Sequence, residues 1–328
     1  MLADERVKMD FTDIDRAGRA AEPLLPVRYS HQETGAVVPP IAALPVGLYE
    51  KALPAPWSWD RRLAMAAEAG YDFVEISIDE SDERLGRLAW PAAAKADLRR
   101  SIAAAGVPIL TMCLSGHRKY PLGSRSPQVR ERADAIMRQA IEFSANVGVR
   151  IVQVAGYDVF YEESDDCTVA RFVDGLCRAA DLASQAGVML ALENVDVPLT
   201  ESLARCMAIV RQVDSMWFQI YPDMANVAAA GYDPVTELAL CDGHLVAVHV
   251  KDSLPRTIRR VPFGAGIVPF ERVFRTLAAI GYRGPLVVEM WADQDGTGDP
   301  VATVRAARQF VADLVDTTYP ATMHALAG

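Results

Sequence analysis

The sequence predicts one (β/α)8 barrel preceded by an N-terminal extension. A unit in which an Ala-rich helix ends near a glycine and an apolar strand follows recurs along the chain, as in AEAGYDFVEI, SIAAAGVPILTM and FSANVGVRIVQV. Glycine just past a helix end accepts the left-handed backbone that turns the chain back. Nearly continuous apolar strands that alternate with helices are typical of a parallel sheet covered on its faces. Eight such units over about 280 residues fit a closed barrel.

The predicted strands are, in order, Val46–Glu50, Phe73–Asp79, Pro108–Ser115, Ile151–Gly156, Met189–Val195, Phe218–Met224, Leu245–Lys251 and Leu286–Trp291. Helical segments such as Gln128–Ala145 and Thr168–Gln185 lie between them. A doubly wound open sheet is the alternative. It is disfavoured because no GxGxxG follows the first strand.

The first part of the chain differs from the rest. Residues 1–44 are charged at first and then rich in proline, without a sustained hydrophobic period. They predict an N-terminal extension, with a short helix around Phe11 to Ala21, ahead of a barrel catalytic domain at residues 45–320. Two interpretations stay open for the extension: a mobile arm, or a segment that packs on a neighbouring subunit.

Composition and charge argue against nucleic-acid-binding, secreted and membrane proteins. Acidic residues exceed basic ones by 43 to 33, and the net charge of -10 argues against a nucleic-acid partner, which needs many Lys and Arg contacts to phosphate. The five cysteines form no CxxC, which predicts reduced thiols and a cytoplasmic location. No secretory signal or transmembrane run is visible, so we expect no membrane partner.

Polar residues end four consecutive predicted strands. Strands five to eight supply, in order, Glu193, Asp223, His249 and Glu289. In a barrel of this type the active site lies at the C-terminal strand ends. Three carboxylates brought together there would repel one another, and a divalent cation removes that conflict. Oxygen ligands with one imidazole suit Mn²⁺, Zn²⁺, Co²⁺ or Mg²⁺, and the sequence does not choose among them. The alternative is that each acid caps the next helix or pairs with a base.

Strand parity predicts further site residues, because side chains at i and i+2 share a face. Lys251 should point the same way as His249, and Trp291 the same way as Glu289. Lys251 is therefore expected to face the substrate. Trp291 fits either substrate contact or core packing. Asp252, of opposite parity, is expected to position a loop or a helix start.

The two glutamates suggest a reaction. Glu193 and Glu289 end the outer two of the four strands, so their backbones should lie roughly 10 Å or more apart. A carboxylate on each side of one carbon suits two-base proton transfer, in which one group removes a proton and the other returns a proton to the opposite face. A metal that holds two adjacent substrate oxygens would stabilise the enediolate formed in between.

Several blocks of the sequence resemble a known family. They are VGLYEKALP, FVEISIDESDERLGRL, MCLSGHRKYPLGS, VQVAGYDVFY, FQIYPD, VAVHVKD, VPFGAGIVPFER and VVEMW. From about Leu44 to Asp293 the chain closely resembles the L-ribulose-5-phosphate (L-xylulose-5-phosphate) 3-epimerases, which are xylose-isomerase-like TIM barrels. LALENVDVP departs from the more usual MEIMDYP of that family, although its Glu and Asp remain.

The resemblance implies a divalent metal held by Glu193, Asp223, His249 and Glu289, with the two glutamates as the acid/base pair. It implies interconversion of L-ribulose 5-phosphate and L-xylulose 5-phosphate by inversion at C3, and a homo-oligomer, either a dimer or a tetramer. The alternative function is epimerisation or isomerisation of a free ketose such as L-ribulose, D-psicose or D-tagatose. A related endonuclease is disfavoured, since five histidines are few for extra zinc ions and the chain is acidic.

A phosphorylated substrate also needs an anion site, and two loops are candidates. One follows strand seven and carries Lys251, Arg256, Arg259 and Arg260, with the small-residue turn at 264–266; the other is His117-Arg118-Lys119 after strand three. Barrels often bind phosphate near strands seven and eight. Glu75, on strand two, is expected either to reach the sugar hydroxyls or to bond inside the barrel.

Overall fold

The computed structural model describes residues 44–292 and 298–319. Its strands are β1 Val46–Tyr49, β2 Phe73–Ile78, β3 Ile109–Leu114, β4 Ile151–Ala155, β5 Met189–Glu193, β6 Phe218–Ile220, β7 Val248–Val250 and β8 Leu286–Val288. All paired strands run parallel, in the order β6-β5-β4-β3-β2-β1-β8-β7. The sheet thus has the strand order of a (β/α)8 barrel, as predicted.

The two ends of the sheet meet at β6 and β7 and close the barrel. The amide of Ile220 donates to the His244 carbonyl at 3.0 Å, and the amide of His249 donates to the Pro222 carbonyl at 2.9 Å. Isolated parallel bridges pair Ile220 with Leu245 and Asp223 with His249. This seam is sparser than the other strand pairs because Pro222 has no N–H to donate.

The helices pack around the barrel. Within the described residues they are α1 Trp59–Glu68, α2 Asp82–Gly86, α3 Ala92–Ala105, α4 Pro127–Val147, α5 Asp166–Ala186, α6 Leu203–Val213, α7 Met224–Ala229, α8 Pro234–Ala239, α9 Phe270–Ala279 and α10 Pro300–Thr318. Short 3-10 turns cover Glu50–Ala52, Arg87–Ala89 and Gly116–Arg118. No described helix is long and apolar enough to cross a membrane.

Local sequence explains where the helices begin and end. Asp165 opens α5 with a capping box, in which its side chain accepts from the Thr168 amide and the Thr168 hydroxyl accepts from the Asp165 amide. Gly106, Gly148 and Gly187 end α3, α4 and α5 in the left-handed conformation. The recurrent glycine therefore has the role that the sequence predicts.

The apolar core has two layers. The larger one lies between the sheet and the helices. A smaller one fills the barrel interior with Tyr49, Phe73, Cys113, Ala191, Tyr221, Ala247 and Val287. Gly47 faces this interior, where an added Cβ would lie 2.2 Å from the Phe73 ring. Large side chains close the interior, so that chemistry is confined to the C-terminal mouth.

A buried group of charges, which we call the Glu50 cluster, joins the end of β1 to the segments around it. It consists of Glu50, Arg62, Arg84 and Arg87. Arg62 Nη1 lies 2.7 Å and Arg87 Nη1 2.9 Å from Glu50 Oε1, and Arg84 also pairs with that oxygen. The amide of Ser77 donates to Glu50 Oε2 at 2.8 Å. Burial would raise the pKa of Glu50, but Arg87 and Arg84 outweigh burial and lower it.

The predicted strands agree with the observed ones in order and place. Strands one to five begin within one residue of the predicted position and end within two. Strands six to eight are shorter than predicted: β6 ends at Ile220, β7 begins at Val248 and β8 ends at Val288. The helix predicted around Phe11 to Ala21 lies outside the described residues, as does most of the predicted extension.

Candidate metal centre and active site

Four side chains converge at the C-terminal mouth of the barrel. Glu193 ends β5, Asp223 follows β6, His249 lies in β7 and Glu289 follows β8. One ligand atom from each lies within 4.8 Å of the others. The structure thus brings together the four residues that strand ends indicated as a metal site.

The local backbone holds Asp223 so that one of its oxygens faces the centre. Asp223 caps α7, and its Oδ1 accepts from the amides of Ala225 (2.8 Å) and Asn226 (3.0 Å). The Asp223 amide donates to Asn194 Oδ1 at 2.7 Å. Asp223 Oδ2 is buried and receives no hydrogen bond from the described residues. It lies 2.5 Å from Lys251 Nζ, so that contact is an ion pair without hydrogen-bond geometry.

His249 is enclosed by carboxylates on both ring nitrogens. Its Nδ1 lies 2.8 Å from Glu193 Oε1 and 3.7 Å from Glu289 Oε2. Its Nε2 lies 2.9 Å from Glu75 Oε2. Burial would lower the pKa of His249, but Glu75, Glu289 and Glu193 together raise it well above the usual range.

Lys251 faces the same centre, as strand parity predicts. Its Nζ donates to Glu289 Oε2 at 2.9 Å. Burial would lower the pKa of Lys251, but Asp223 and Glu289 raise it, so the side chain stays an ammonium. Lys251 therefore partly balances the negative charge of the centre.

The carboxyl groups differ in their pKa values. Burial raises the pKa of Glu193 to about 7, although His249 opposes the shift. Burial also raises the pKa of Asp223, against the effect of Lys251. For Glu289, burial is outweighed by Lys251 and His249, and the pKa falls to about 2. Two carboxyl groups with such different proton affinities can take the roles of acid and base.

The donor set fits a divalent cation. Carboxylate oxygens with one imidazole nitrogen are ligands for Mn²⁺, Zn²⁺, Co²⁺ or Mg²⁺. The buried Asp223 Oδ2 lies 2.5 Å from Lys251 Nζ but accepts no hydrogen bond of regular geometry among the described residues. Burying several carboxylates together is unfavourable unless cations balance them. Glu193, Asp223, His249 and Glu289 could therefore hold the metal.

A cavity of about 360 Å³ opens above this centre. Glu193, Glu289 and Lys251 line its floor. Asp223 and His249 are completely buried below it, whereas both glutamates are 7% exposed. Of the four candidate ligands, the two glutamates are therefore the ones that meet a bound molecule directly.

Aromatic and basic side chains form the wall and rim of the cavity. The aromatic residues are Tyr49, Tyr157 and Trp291, and the basic ones are Lys51, Arg118 and Arg259. The Trp291 ring packs edge-on against Tyr49, with ring centroids 6.3 Å apart. Trp291 packs on a core residue and also lines the cavity, so its position is compatible with both interpretations given above.

Three further candidates lie away from this cavity. Glu75 is completely buried and bonds inside the barrel. His117 is buried with its Nε2 3.2 Å from the Ala133 carbonyl in α4, and burial lowers its pKa to about 4. Arg256 lines a neighbouring cavity of about 380 Å³. The sequence interpretation placed these residues near the mouth but could not fix their direction.

Sequence reasoning missed Lys51 and Tyr157. Lys51 lies in the 3-10 turn that follows β1, where no strand period indicates the direction of its side chain. Tyr157 lies two residues past β4, and its hydroxyl accepts from Arg118 Nη2 at 3.0 Å. Asp252, expected to position a loop, does so: its carboxylate accepts from the amides of Gly264 and Gly266, each at 2.9 Å.

Known proteins resemble the chain over most of its length. Residues 63–314 match the family model for the xylose isomerase-like TIM barrel. The L-ribulose-5-phosphate 3-epimerase UlaE of Salmonella heidelberg (strain SL476) is 47% identical over 268 residues, which cover 82% of this chain and 94% of that protein. The protein of the same name from Escherichia coli O139:H28 (strain E24377A / ETEC) has the same identity and coverage.

Solved structures share the fold at low sequence identity. An L-ribulose 3-epimerase has a TM-score of 0.69 at 22% identity and covers 83% of this chain and 95% of its own. A D-tagatose 3-epimerase-like protein has a TM-score of 0.71 at 16% identity and covers 84% of this chain and 98% of its own. From the family model and the relatives at 47% identity, the chain belongs to the L-ribulose-5-phosphate 3-epimerase family of xylose isomerase-like TIM barrels.

Proposed function

We propose that this protein is a metal-dependent 3-epimerase that interconverts L-ribulose 5-phosphate and L-xylulose 5-phosphate. The observation that carries the proposal is the pair of glutamates, Glu193 and Glu289, on the floor of one cavity beside His249 Nδ1. Family membership narrows the sugar, since the relatives at 47% identity are named for L-ribulose 5-phosphate.

The two glutamates act as the acid/base pair. One removes the proton from C3 and the other delivers a proton to the opposite face, which inverts that carbon. Both carboxyl groups line the floor of the cavity, so each can reach a bound sugar. Lys251, 2.9 Å from Glu289 Oε2, keeps that carboxylate ionised and in place.

Glu193, Asp223, His249 and Glu289 would hold the divalent metal. The bound ion would supply positive charge close to the substrate oxygens, where negative charge develops when C3 loses its proton. The ligand set suits Mn²⁺, Zn²⁺, Co²⁺ and Mg²⁺ alike. The cavity walls of Trp291 and Tyr49 would enclose the sugar and limit its contact with water.

The phosphate end of the substrate would lie at the rim. Arg118 and Arg259 line the cavity there, whereas His117 and Arg256 do not. Lys51 is paired with Asp79 at 2.6 Å. Within residues 44–292 and 298–319, Arg259 has no carboxylate partner and lies over the Trp291 ring, 5.7 Å from its centroid. The geometry thus favours Arg118 and Arg259 over His117 and Arg256.

A free ketose is the second candidate substrate. It is supported by the acids that also line the cavity, namely Asp79, Glu80 and Asp196, which would repel a phosphate dianion. A neutral sugar such as L-ribulose would not meet that repulsion. The same floor residues would catalyse either reaction, so the rim decides between the two.

Steady-state assays with L-ribulose 5-phosphate and L-ribulose test the proposal. We expect the higher kcat/KM with the phosphorylated sugar. Arg259→Met should lower kcat/KM for the phosphorylated sugar by about tenfold or more, as for loss of a hydrogen bond to a charged group, and leave the free sugar unaffected. Arg256→Met, in the neighbouring cavity, is the matched control.

A higher kcat/KM with free L-ribulose would overturn the phosphate assignment and favour the second candidate. A larger effect of Arg256→Met than of Arg259→Met would move the phosphate to the neighbouring cavity. A cytoplasmic location and a dimer or tetramer, both expected from the sequence, remain predictions.

A further inference from the structure

We propose that Glu75 is a positioning residue that fixes the orientation and the tautomer of His249 in the metal centre. Glu75 lies in β2 and His249 in β7, with β1 and β8 between them in the sheet. The inference rests on the metal-dependent function proposed above. In this role Glu75 contacts His249 and does not contact the sugar.

The Glu75 carboxylate is completely buried and has a partner on each oxygen. Its Oε2 lies 2.9 Å from His249 Nε2. Its Oε1 accepts from the Thr111 hydroxyl at 2.9 Å and from the Tyr221 hydroxyl at 2.7 Å. The carboxylate cannot turn toward the cavity without losing these bonds, and it does not line the cavity. Glu75 therefore acts on His249 rather than on a bound molecule.

Tyr221 supports the imidazole from a second direction. Its ring lies against the His249 ring, with centroids 4.6 Å apart. Its hydroxyl holds the Glu75 oxygen that His249 does not use. His249 has no exposed surface, and these two contacts hold its ring on the side opposite to Glu193.

This arrangement decides which ring nitrogen faces the metal ligands. Glu75 Oε1 already receives two donors, so the carboxylate is an acceptor and His249 Nε2 carries the hydrogen that it donates to Oε2. When a metal ion replaces the proton on Nδ1, the lone pair of Nδ1 would be directed to the side of Glu193 and Glu289. A carboxylate behind a ligating imidazole fixes the ring and makes the ligand nitrogen more basic.

The main test is the variant Glu75→Gln, with Zn²⁺ alone as the probe. The amide is close in size to the carboxylate but can present either an N–H or a C=O to Nε2, so it no longer imposes one tautomer. Competition with a chromophoric chelator should show Zn²⁺ affinity weakened by about 10- to 100-fold. In the unaltered Zn²⁺-loaded protein, ¹⁵N NMR should show a hydrogen on His249 Nε2 and none on Nδ1.

A matched pair of tyrosine variants separates positioning from general loss of stability. Tyr221→Phe and Tyr71→Phe each remove one buried hydroxyl. The Tyr71 hydroxyl donates to the Val304 carbonyl at 2.8 Å, outside the metal centre. We expect Tyr221→Phe to weaken Zn²⁺ binding several-fold and Tyr71→Phe to leave it unchanged. If Glu75→Gln does not fold, this pair of variants and the NMR measurement still test whether Glu75 positions His249.

Three results would overturn the inference: a folded Glu75→Gln variant with unaltered Zn²⁺ affinity, a hydrogen on Nδ1 of His249 in the loaded protein, or equal effects of the two tyrosine variants. These differ from failure of the proposed function. If the unaltered protein binds Zn²⁺ but does not epimerise sugars, only the proposed function fails. If it binds no divalent cation, both fail.

Discussion

Two buried groups of charged side chains lie at the C-terminal ends of the strands, and they have opposite compositions. The Glu50 cluster surrounds one carboxylate with three guanidinium groups. The metal centre surrounds His249 and Lys251 with the carboxylates of Glu193, Asp223 and Glu289. In the first group both carboxylate oxygens accept hydrogen bonds from the chain. In the second, Asp223 Oδ2 accepts none within the described residues.

The pKa shifts follow the same difference. In the Glu50 cluster the arginines outweigh burial and lower the pKa of the carboxyl group, so its ionised form stabilises the fold. In the metal centre burial prevails at Glu193 and Asp223 and raises their pKa values, so their ionised forms are unfavourable there. A charge group that is complete within the chain serves structure. A group in which carboxylates outnumber the basic side chains is suited to bind a cation.

The largest expected effect is a loss of catalytic activity when carboxylates of the metal centre are replaced. Glu193→Gln and Glu289→Gln should each lower exchange of the C3 proton of L-ribulose 5-phosphate with solvent by about 10²- to 10⁴-fold, because each removes one acid/base group. Deuterium incorporation followed by NMR measures the exchange, with metal content determined in parallel. Glu237→Gln is the control, since Glu237 is also 7% exposed but accepts from the Ala204 amide outside the cavity. Near-normal exchange in either metal-loaded variant would contradict the two-base mechanism.

The same substitution should have opposite effects on stability in the two groups. Glu50→Gln should lower the free energy of unfolding by about 3–5 kcal/mol, because it leaves buried guanidinium groups without their counter-ion. Glu193→Gln, measured in chelator, should leave the free energy of unfolding unchanged or raise it, because it removes a carboxyl group whose ionised form burial disfavours. Urea unfolding measures both. Similar losses in the two variants would show that the groups do not differ in this way.

Metal binding should raise the free energy of unfolding through the metal centre and not through the Glu50 cluster. A cation present at about 100 times its Kd adds about 2.7 kcal/mol to the free energy of unfolding. A Glu50→Gln variant that folds should gain the same increment, because its metal centre is intact. Unfolding of chelated protein, repeated with Mn²⁺, Zn²⁺, Co²⁺ or Mg²⁺ added singly, checks this. No shift with any of the four ions would argue against a metal centre.

The smallest expected effect is a dependence on acid pH that comes from the Glu50 cluster. The pKa of Glu50 is lowered on folding from its ordinary value of 4.5, so its ionised form stabilises the native state. This contribution is fully present above pH 4.5 and is lost as the pH falls toward the lower folded value. Unfolding free energies measured below pH 4.5 should fall more steeply for the unaltered protein than for Glu50→Gln. Parallel pH profiles would contradict the role of Glu50.

Strand order and strand parity could be predicted because they depend on local sequence. Apolar runs gave the order of the strands, and the spacing of two residues placed Lys251 beside His249 and Trp291 on the cavity wall. These features follow from the period of a strand. They need no knowledge of which other strands lie opposite.

The rest depends on contacts between distant parts of the chain. The sequence left Glu75 either at the sugar hydroxyls or inside the barrel, and it could not show that His249, 174 residues away, would be the partner of the Glu75 carboxylate. His117 lies in a 3-10 turn, and Arg259 in a loop, so no period indicates their direction. The partners of Glu50 likewise come from α1, α2 and the turn after α2, which a linear pattern does not relate to β1.

The metal centre lies across the seam between β6 and β7, so a bound ion would also affect how often the barrel opens. Glu193 and Asp223 come from the β5–β6 side of the seam, and His249 and Glu289 from the β7–β8 side. An ion shared by all four would join the two edges of the sheet that are paired through isolated bridges. Opening of the closed ring would then become rarer, and the His249 amide would exchange with solvent more slowly. The concentration of metal ions would in this way affect both how long the barrel stays closed and the catalytic rate.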